Sequence, residues 1–330
     1  MPLLNNIGVR RYKIMNKLSI VIPCFNEASS LVKLHERVNV LCAAVKTQYN
    51  LPTEVIYIDD GSRDNTLEIA NSLSSNVADI QILSFSRNFG KEAALLAGLE
   101  ASTGAVLFMD GDGQHPPELA LQLVEHWIRG GYDVAYTYKH HRTGESATKS
   151  LFVKAFYGIL NMGLRQKIPH DAGDFRLLST RAVTALKQLP ERNRFFKGLS
   201  AWIGFKQIGV AYDPAKRIDG ETKWSFWNLL ALSMEGITSF SVAPLRLAAL
   251  TGAGLATFAL FYAMIIIIQT IISGKDVPGY PSLFVAVTLI GGVQLLMIGI
   301  MGEYIGKILN ELKQRPSYII ASAEFKKAAE

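Results

Sequence analysis

The sequence contains very few cysteines and no secretory leader. Cys24 and Cys42 are its two cysteines among 330 residues. Two are too few for a disulfide framework, and Cys24 lies in an apolar run that predicts a core strand. No apolar leader segment precedes this strand. We therefore expect reduced thiols and a main domain that stays in the cytoplasm.

Patterns typical of several other classes of protein are also missing. The first predicted strand is not followed by a Gly-x-Gly-x-x-Gly turn, which argues against a dinucleotide cofactor and hydride transfer. The formal net charge is only +6, and no clustered basic motif is present, so we expect no nucleic-acid partner. This modest charge instead favours contact with anionic lipid headgroups. We find no internal repeat and no low-complexity tract.

Charged residues are absent from two long apolar stretches near the C-terminus. As helices, residues 247–272 would span roughly 39 Å and residues 282–302 roughly 31 Å, whereas the hydrocarbon core of a bilayer is about 30 Å thick. We predict two transmembrane helices joined by a short extracytoplasmic loop, residues 273–281. Basic residues flank the outer ends of this hairpin, namely Arg246, Lys307, Lys313 and Arg315. By the positive-inside rule, both outer ends face the cytoplasm.

The segments around the hairpin differ in composition. Residues 224–246 are apolar but too polar to span a bilayer, and they begin with tryptophan. This pattern favours an interfacial amphipathic helix, with packing in a protein core as the alternative. Residues 303–330 are predicted to form a cytoplasmic tail. Residues 1–16 form a basic N-terminal extension, and Met15 is an alternative start of translation.

A strand followed by a helix recurs along residues 17–223, the predicted main domain. The first four predicted strands end on polar or glycine residues, in the order PCFNE, DDGS, SRNFGK and DGDGQHPPE. Such alternation predicts an α/β fold with a mostly parallel sheet and helices on both faces. Because carboxyl ends of parallel strands meet at one edge, we interpret the four ends as a nucleotide site rather than as ordinary turns.

The fourth strand end carries alternate carboxylates, Asp110 and Asp112, followed by Gln114. Hard oxygen ligands of this kind suit Mg²⁺ or Mn²⁺, which keep positions open for substrate phosphates. An isolated Asp-Gly-Asp-Gly would more often be a solvated acidic turn. Its position at the end of a predicted core strand favours the metal site.

Three further segments carry charges that would suit an anionic substrate. Asp174 and Arg176 lie two residues apart and on the same face if the segment is extended, although a structural ion pair is the alternative. Arg142 belongs to a basic run that is also typical of a solvated loop. Arg217 and Lys223 directly precede the predicted interfacial helix.

With these motifs assembled, the sequence resembles the family 2 glycosyltransferases of GT-A (Rossmann-like) fold, specifically the membrane-anchored polyprenyl-phosphate glycosyltransferases. The resemblance covers residues 17–318 and is most specific in SIVIPCFNE, DDGSRDNT, RNFGKEAALLAGL, DGDGQHPPE, GDFRLLS, PERNRFFKG, RIDGETKW and GYPSL. Within this group the sequence is most similar to the bactoprenol glucosyltransferases of O-antigen modification.

The resemblance implies a role for each motif residue. The uridine pocket would include Pro23, Phe25, Glu27 and Asp59 or Asp60, with Phe25 standing where a tyrosine is common. The metal and the diphosphate would be held by Asp110, Asp112 and Gln114. Further substrate contacts would come from Lys91, Arg142 and Lys223, and the catalytic residues would be Asp112, Asp174, Arg176 and Arg217.

The implied reaction is an inverting displacement, in which a polyprenyl (undecaprenyl) phosphate attacks the anomeric carbon of a UDP-sugar, most simply UDP-glucose. The phosphate is already largely dianionic at neutral pH, so no strong base is required. Formamido-arabinose, an N-acetylhexosamine or mannose are alternative sugars. A non-catalytic membrane-tethered nucleotide-sugar binder is the alternative of another class, and a processive synthase would need more spans. The resemblance further implies that the protein lies in the bacterial inner membrane and contacts membrane lipids. It also implies a homo-oligomer, which relatives suggest is a tetramer.

Overall fold

The computed structural model describes residues 17–111, 116–139, 158, 172–191, 196–212, 243–273 and 279–328. The chain divides into two compact units. The first comprises Met1–Glu145, Ile168–Thr222 and Pro316–Glu330, and the second comprises Ser146–Lys167 and Lys223–Arg315.

The first unit contains a sheet and the helices that cover it. Its strands are β1 (Leu18–Cys24), β2 (Thr53–Asp59), β3 (Asp79–Phe85), β4 (Ala105–Phe108), β5 (Val134–Lys139), β6 (Ala172–Leu178), β7 (Gln207–Tyr212) and β8 (Ile320–Lys326). Its helices are α1 (Leu31–Tyr49), α2 (Thr66–Ser72), α3 (Lys91–Ala101), α4 (Pro117–Ile128), α5 (Thr180–Lys187) and α6 (Phe196–Trp202).

The described strands form one sheet in the order β7-β5-β6-β4-β1-β2-β3-β8. The central strands β4, β1, β2 and β3 are parallel, and β5 is parallel to β7. Strand β6 runs antiparallel to both β4 and β5, and β8 runs antiparallel to β3. The sheet is therefore mostly parallel, as predicted, and the carboxyl ends of β1, β2, β3 and β4 lie at one edge.

The core follows from the apolar, β-branched sequences of the central strands. Ile20, Val21 and Ile22 of β1 are fully buried, because helices cover both faces of a parallel sheet. Helix α3 approaches β1 at Gly98, where an added Cβ would lie 2.1 Å from Cγ1 of Val21. Only glycine allows this close contact, which sets the position of α3 against the sheet.

The first helix begins several residues after β1 ends, since β1 ends at Cys24 and α1 begins at Leu31. Asn26 has a φ of 56°, in the left-handed region that does not continue a helix. Its backbone N–H donates to Oγ of Ser62 at 3.0 Å, and its side chain accepts from the N–H of Arg63 at 2.9 Å. The turn after β1 is thus held by the turn after β2.

The C-terminal tail adds a strand that the sequence pattern did not reveal. Strand β8 pairs with β3 along Ile80–Phe85 and is exposed along most of its length. Lys326 donates to the carbonyl of Leu73 at 3.0 Å, and the N–H of Ala328 donates to Asp79 at 3.2 Å. The tail is therefore part of the first unit.

The second unit contains two long apolar helices, α7 (Ala243–Ser273) and α8 (Tyr280–Leu312). By length and composition, Pro244–Gln269 and Leu289–Leu312 are able to cross a membrane. The hydroxyls of Thr251 and Thr257 donate to carbonyls four residues earlier, at 2.9 and 2.8 Å. Bonding within the helix leaves these hydroxyls satisfied in lipid. Helix α8 continues beyond residue 302, the predicted end of the second span.

The exact domain boundaries remain predictions. The predicted interfacial helix at 224–246 lies outside the described residues except for its last four positions, which begin α7. The N-terminal extension, residues 1–16, and the loop at 274–278 also lie outside them.

Candidate active site

Hydrogen bonds join the turn after β1 to the turn after β2 at the carboxyl edge of the sheet. The N–H of Glu27 donates to Oγ1 of Thr66 at 2.8 Å, and the N–H of Ala28 donates to Asp64 at 3.3 Å. The Glu27 carboxylate accepts from the hydroxyl of Ser30 at 2.8 Å. These bonds fix the segment that carries the predicted uridine-pocket residues.

Phe25 and Pro23 lie at this edge beside the end of β4. Phe25 is 43% exposed, so this residue is accessible to a planar ligand. A Cβ added to Gly111 would lie 3.0 Å from the carbonyl oxygen of Pro23 and 3.6 Å from Cγ of Glu27. Gly111 therefore lets the strand end that carries Asp110 approach the predicted uridine pocket closely.

Asp59 and Asp60 are both buried and bonded within the protein. Asp59 accepts from Oγ of Ser84 at 2.8 Å and from the N–H of Ser62 at 3.1 Å. Asp60 accepts from the N–H groups of Phe89 and Gly90 at 2.7 and 2.9 Å. Burial raises the pKa of Asp60, and its two N–H donors only partly offset this. The structure thus assigns Asp60 a direct role in holding the loop before α3.

A charged cluster joins the ends of three elements. Lys91, the first residue of α3, contacts Asp110 after β4 at 2.5 Å and Asp174 of β6 at 2.7 Å. Lys197 of α6 contacts the other oxygen of Asp174 at 3.1 Å. We name Lys91, Asp110, Asp174 and Lys197 the charged cluster. It brings together three of the residues that the sequence singled out.

The charged residues of this cluster shift one another's pKa values. Burial lowers the pKa of Lys91, but Asp174 and Asp110 outweigh burial, so its pKa lies above the ordinary value. Burial raises the pKa of Asp174, but Lys197 and Lys91 hold it well below its usual range. Asp174 is therefore an anion and Lys91 a cation throughout the neutral range. A carboxylate with so low a pKa is a weak general base.

Arg176 lies beneath the cluster rather than in it. It is 2% exposed, and its guanidinium donates to the carbonyls of Gly173 at 2.7 Å and Phe196 at 3.4 Å and to the hydroxyl of Ser200. These bonds connect β6 to α6, the helix that carries Lys197. Arg176 is thus positioned to support the fold, and its catalytic role stays a prediction.

Two residues of this region were missed as candidate site residues. Lys197 lies in the motif PERNRFFKG. This motif supported the resemblance, but no residue in it was given a role in the site. Glu92 of α3 accepts from the N–H of Phe196 at 3.1 Å, and burial raises the pKa of Glu92 to about 7. The only local signal for Lys197 was its position directly after two phenylalanines. The sequence alone does not show which residue Lys197 contacts.

Five predicted site residues lie outside the described residues, namely Asp112, Gln114, Arg142, Arg217 and Lys223. Within the described part of the chain, no group of three His, Cys, Asp or Glu side chains is placed to hold a metal ion. Asp110 nevertheless fits a divalent cation chemically, since its contact with Lys91 uses only Oδ1 and a carboxylate has a second oxygen to offer.

These features define a membrane-associated α/β protein with a charged site at the carboxyl ends of parallel strands, the usual ligand edge of such sheets. Residues 19–186 match the family model described as glycosyl transferase family 2, and residues 243–308 match the GtrB C-terminal hairpin. The chain belongs to glycosyltransferase family 2, and it is a glycosyltransferase.

Individual relatives cover nearly the whole chain. A prophage bactoprenol glucosyl transferase homolog of Escherichia coli (strain K12) is 41% identical over 92% of this chain and 98% of its own length. The bactoprenol glucosyl transferase of Shigella phage SfV is 40% identical over 94% of this chain and 100% of its own length. Among solved structures, S. aureus TarS in complex with UDP-GlcNAc aligns over 68% of this chain and 66% of that chain, with 15% identity and a TM-score of 0.45.

Proposed function

We propose that this chain transfers glucose from UDP-glucose to a polyprenyl phosphate, with inversion at the anomeric carbon. The observation that carries the proposal is the similarity, about 40% identity over more than nine-tenths of this chain, to proteins named bactoprenol glucosyl transferase. The two apolar helices support it, since they would hold the enzyme where a lipid acceptor lies. We further propose that the protein lies in the bacterial inner membrane with its first unit in the cytoplasm, and that it forms a homo-oligomer.

The donor site follows from the edge of the sheet. The exposed ring of Phe25 would stack on the uracil, and Pro23 and Glu27 would line the same pocket. Asp59 and Asp60 would shape the pocket mainly through the backbone turns that they fix. The diphosphate would extend from there toward Gly111 and the charged cluster.

The acceptor phosphate needs no proton removed, because it is largely dianionic at neutral pH. One of its oxygens attacks the anomeric carbon while the bond from that carbon to the UDP oxygen breaks. A divalent cation, Mg²⁺ or Mn²⁺, held by Asp110, Asp112 and Gln114 would supply charge neutralisation to the departing diphosphate. The same edge of the sheet would thus hold the donor and accept the negative charge that forms.

Asp174 would act in this reaction as an orienting anion. It holds the ammonium groups of Lys91 and Lys197, at 2.7 and 3.1 Å, on one side of the cluster. Fixed cations there would stabilise charge that develops on the phosphates without reorganising during the reaction. The low pKa of Asp174 favours this role over that of a base.

A panel of UDP-sugars tests the proposed donor. The full-length protein in detergent or nanodiscs, given polyprenyl phosphate, is expected to transfer glucose from UDP-glucose faster than any other sugar. Formation of the lipid-linked sugar is measured by thin-layer chromatography and mass spectrometry. Faster transfer from UDP-N-acetylglucosamine or from a UDP-arabinose derivative would replace glucose in the proposal, and no transfer from any donor would contradict it.

The acceptor phosphate would be held by Arg217, which precedes Trp224 at the expected membrane surface. A guanidinium holds two phosphate oxygens at once, which a lysine does not reproduce. Arg217→Lys is therefore expected to slow lipid glycosylation about ten- to a hundred-fold, the effect of losing one charge-assisted hydrogen bond. Binding of a non-transferable UDP-sugar analogue, measured by calorimetry, should remain near that of the wild type.

Arg129→Lys is the matched control for this substitution, because Arg129 forms an exposed ion pair with Glu125 on α4. It should leave transfer unchanged. Near-normal transfer by Arg217→Lys, or an equal loss of donor affinity, would move the acceptor phosphate to Arg142 and Arg176.

A further inference from the structure

The loop Ser86–Gly90 connects β3 to Lys91 and is held on one side by the turn after β2. Asp60 accepts from the N–H groups of Phe89 and Gly90. Gly61 packs so closely that an added Cβ would lie 2.5 Å from the carbonyl carbon of Arg87. Gly90 has a φ of 96° and leads directly into α3. The loop therefore determines where the first residue of α3, Lys91, is placed.

The other side of this loop is held by the C-terminal tail. The N–H of Ser86 donates to the carbonyl of Ile319 at 3.0 Å. The ring of Tyr318 stacks on Phe85, with centroids 5.0 Å apart and an interplanar angle of 14°. Phe85 in turn meets Phe89 edge to face, with centroids 5.8 Å apart. The tail thus supports the loop through both its backbone and its aromatic side chains.

Tyr318 also contacts the far end of the helix that the loop begins. Its hydroxyl donates to the carboxylate of Glu100 on α3. Tyr318 therefore ties the end of β3 to α3, and these two elements flank the loop.

We propose that Tyr318 is a positioning residue for Lys91, acting through its ring contact with Phe85 and the contact of Phe85 with Phe89. The inference rests on the proposed function, in which Lys91 stabilises charge on the phosphates. It gives the segment that follows the apolar hairpin a role in catalysis. Removing the ring would loosen the loop and displace the Lys91 ammonium from Asp110 and Asp174.

Steady-state kinetics and hydrogen exchange of the full-length protein test this role. In Tyr318→Ala, kcat is expected to fall about tenfold, the size of a modest misplacement. KM for the UDP-sugar should change less than about twofold, because Pro23, Phe25 and Glu27 lie at the end of β1 and in the turn after it rather than in this loop. Exchange of the amides of residues 86–90 should accelerate about tenfold or more, while amides of β1 keep their protection.

The conservative variant separates the ring from the hydroxyl. Tyr318→Phe keeps the stack on Phe85 and should retain kcat within about twofold. Phe325→Ala is the matched control, since Phe325 lies on the same tail and is 58% exposed; it should change neither kcat nor exchange at residues 86–90. If Tyr318→Ala does not fold, Tyr318→Leu, which keeps an apolar side chain beside Phe85 but no aromatic ring, is measured in its place.

Two results would overturn the proposal. One is a kcat and an exchange rate in Tyr318→Ala that match those of Phe325→Ala. The other is a Tyr318→Phe variant as slow as Tyr318→Ala, which would show that the ring contacts do not carry the effect. A wild type that is inactive with every UDP-sugar would contradict the proposed function. The effect of Tyr318 on the loop would still be measurable, because hydrogen exchange does not depend on sugar transfer.

Discussion

The Asp112→Asn variant is expected to lose glycosyl transfer while keeping its fold. Asp110 and Gly111 follow a fully buried strand, and Gly111 approaches Pro23 and Glu27 closely. Asp112 and Gln114 come next in the sequence. An amide in place of the carboxylate removes one negative charge from the proposed cation site, so less charge on the leaving diphosphate is neutralised. We expect transfer to fall about a hundred-fold or more.

Removal of divalent metal from the wild type should have the same effect. Turnover in EDTA is expected to vanish and to return when Mg²⁺ or Mn²⁺ is added in excess. Asp79→Asn is a suitable control, because Asp79 pairs with Lys17 at 3.0 Å at the opposite edge of the sheet; it should lower the melting temperature without lowering kcat. Transfer that persists in EDTA would show that the Asp110–Gln114 segment does not hold a required metal.

The central sheet was predictable from the sequence because its signals are local. Runs such as Leu18–Cys24 and Thr53–Asp59 combine β-branched residues with polar ends, and they form β1 and β2 with the expected parallel pairing. Strand β8 was not predictable in this way. It is an edge strand with exposed side chains, so it has neither the apolar run of a buried strand nor the alternation of a half-buried one. Only its pairing with β3 identifies it.

The candidate site was predictable to the extent that its residues lie at strand ends. The position of Asp110 at the end of β4 followed from the pattern of elements. The position of Asp174 beside it depends on β6 running antiparallel to β4, and its contact with Lys197 depends on how α6 packs on β6. The roles of Asp59 and Asp60 also depend on distant groups, since Asp60 binds N–H groups of residues 89 and 90. The Asp-Asp-Gly-Ser motif alone does not tell which carboxylate faces a ligand.

The second large effect is expected for Asp174→Asn. Asp174 is the only acid of the charged cluster that contacts both Lys91 and Lys197, and its loss would leave two cations without the anion that orients them. The pKa of Lys91 would fall, because Asp174 is the strongest influence raising it. We expect kcat to decrease about ten- to a hundred-fold, since losing charge-assisted hydrogen bonds costs about 1.5–3 kcal/mol each.

Asp133→Asn is the matched control for this variant. Asp133 is a buried acid that pairs with Arg181 and Ser179 at the start of β5. Its substitution should lower the melting temperature by as much as Asp174→Asn does, while leaving the kcat of the folded protein unchanged. A loss of kcat restricted to Asp174→Asn would therefore be a property of the site rather than of stability.

The pH dependence of kcat distinguishes an orienting Asp174 from a general base. Lys197 and Lys91 hold the pKa of Asp174 well below its usual range, so the carboxylate is fully ionised from about pH 5 upward. Protonation of Asp174 should therefore produce no fall in kcat between about pH 5 and 9 in the wild type. An acidic limb in this window that disappears in Asp174→Asn would instead identify Asp174 as a base with a raised pKa. Electrostatic orientation of the two lysines requires that wild type and Asp174→Asn have the same acidic limb, such as that of the acceptor phosphate, and that kcat of the variant is lower at every pH.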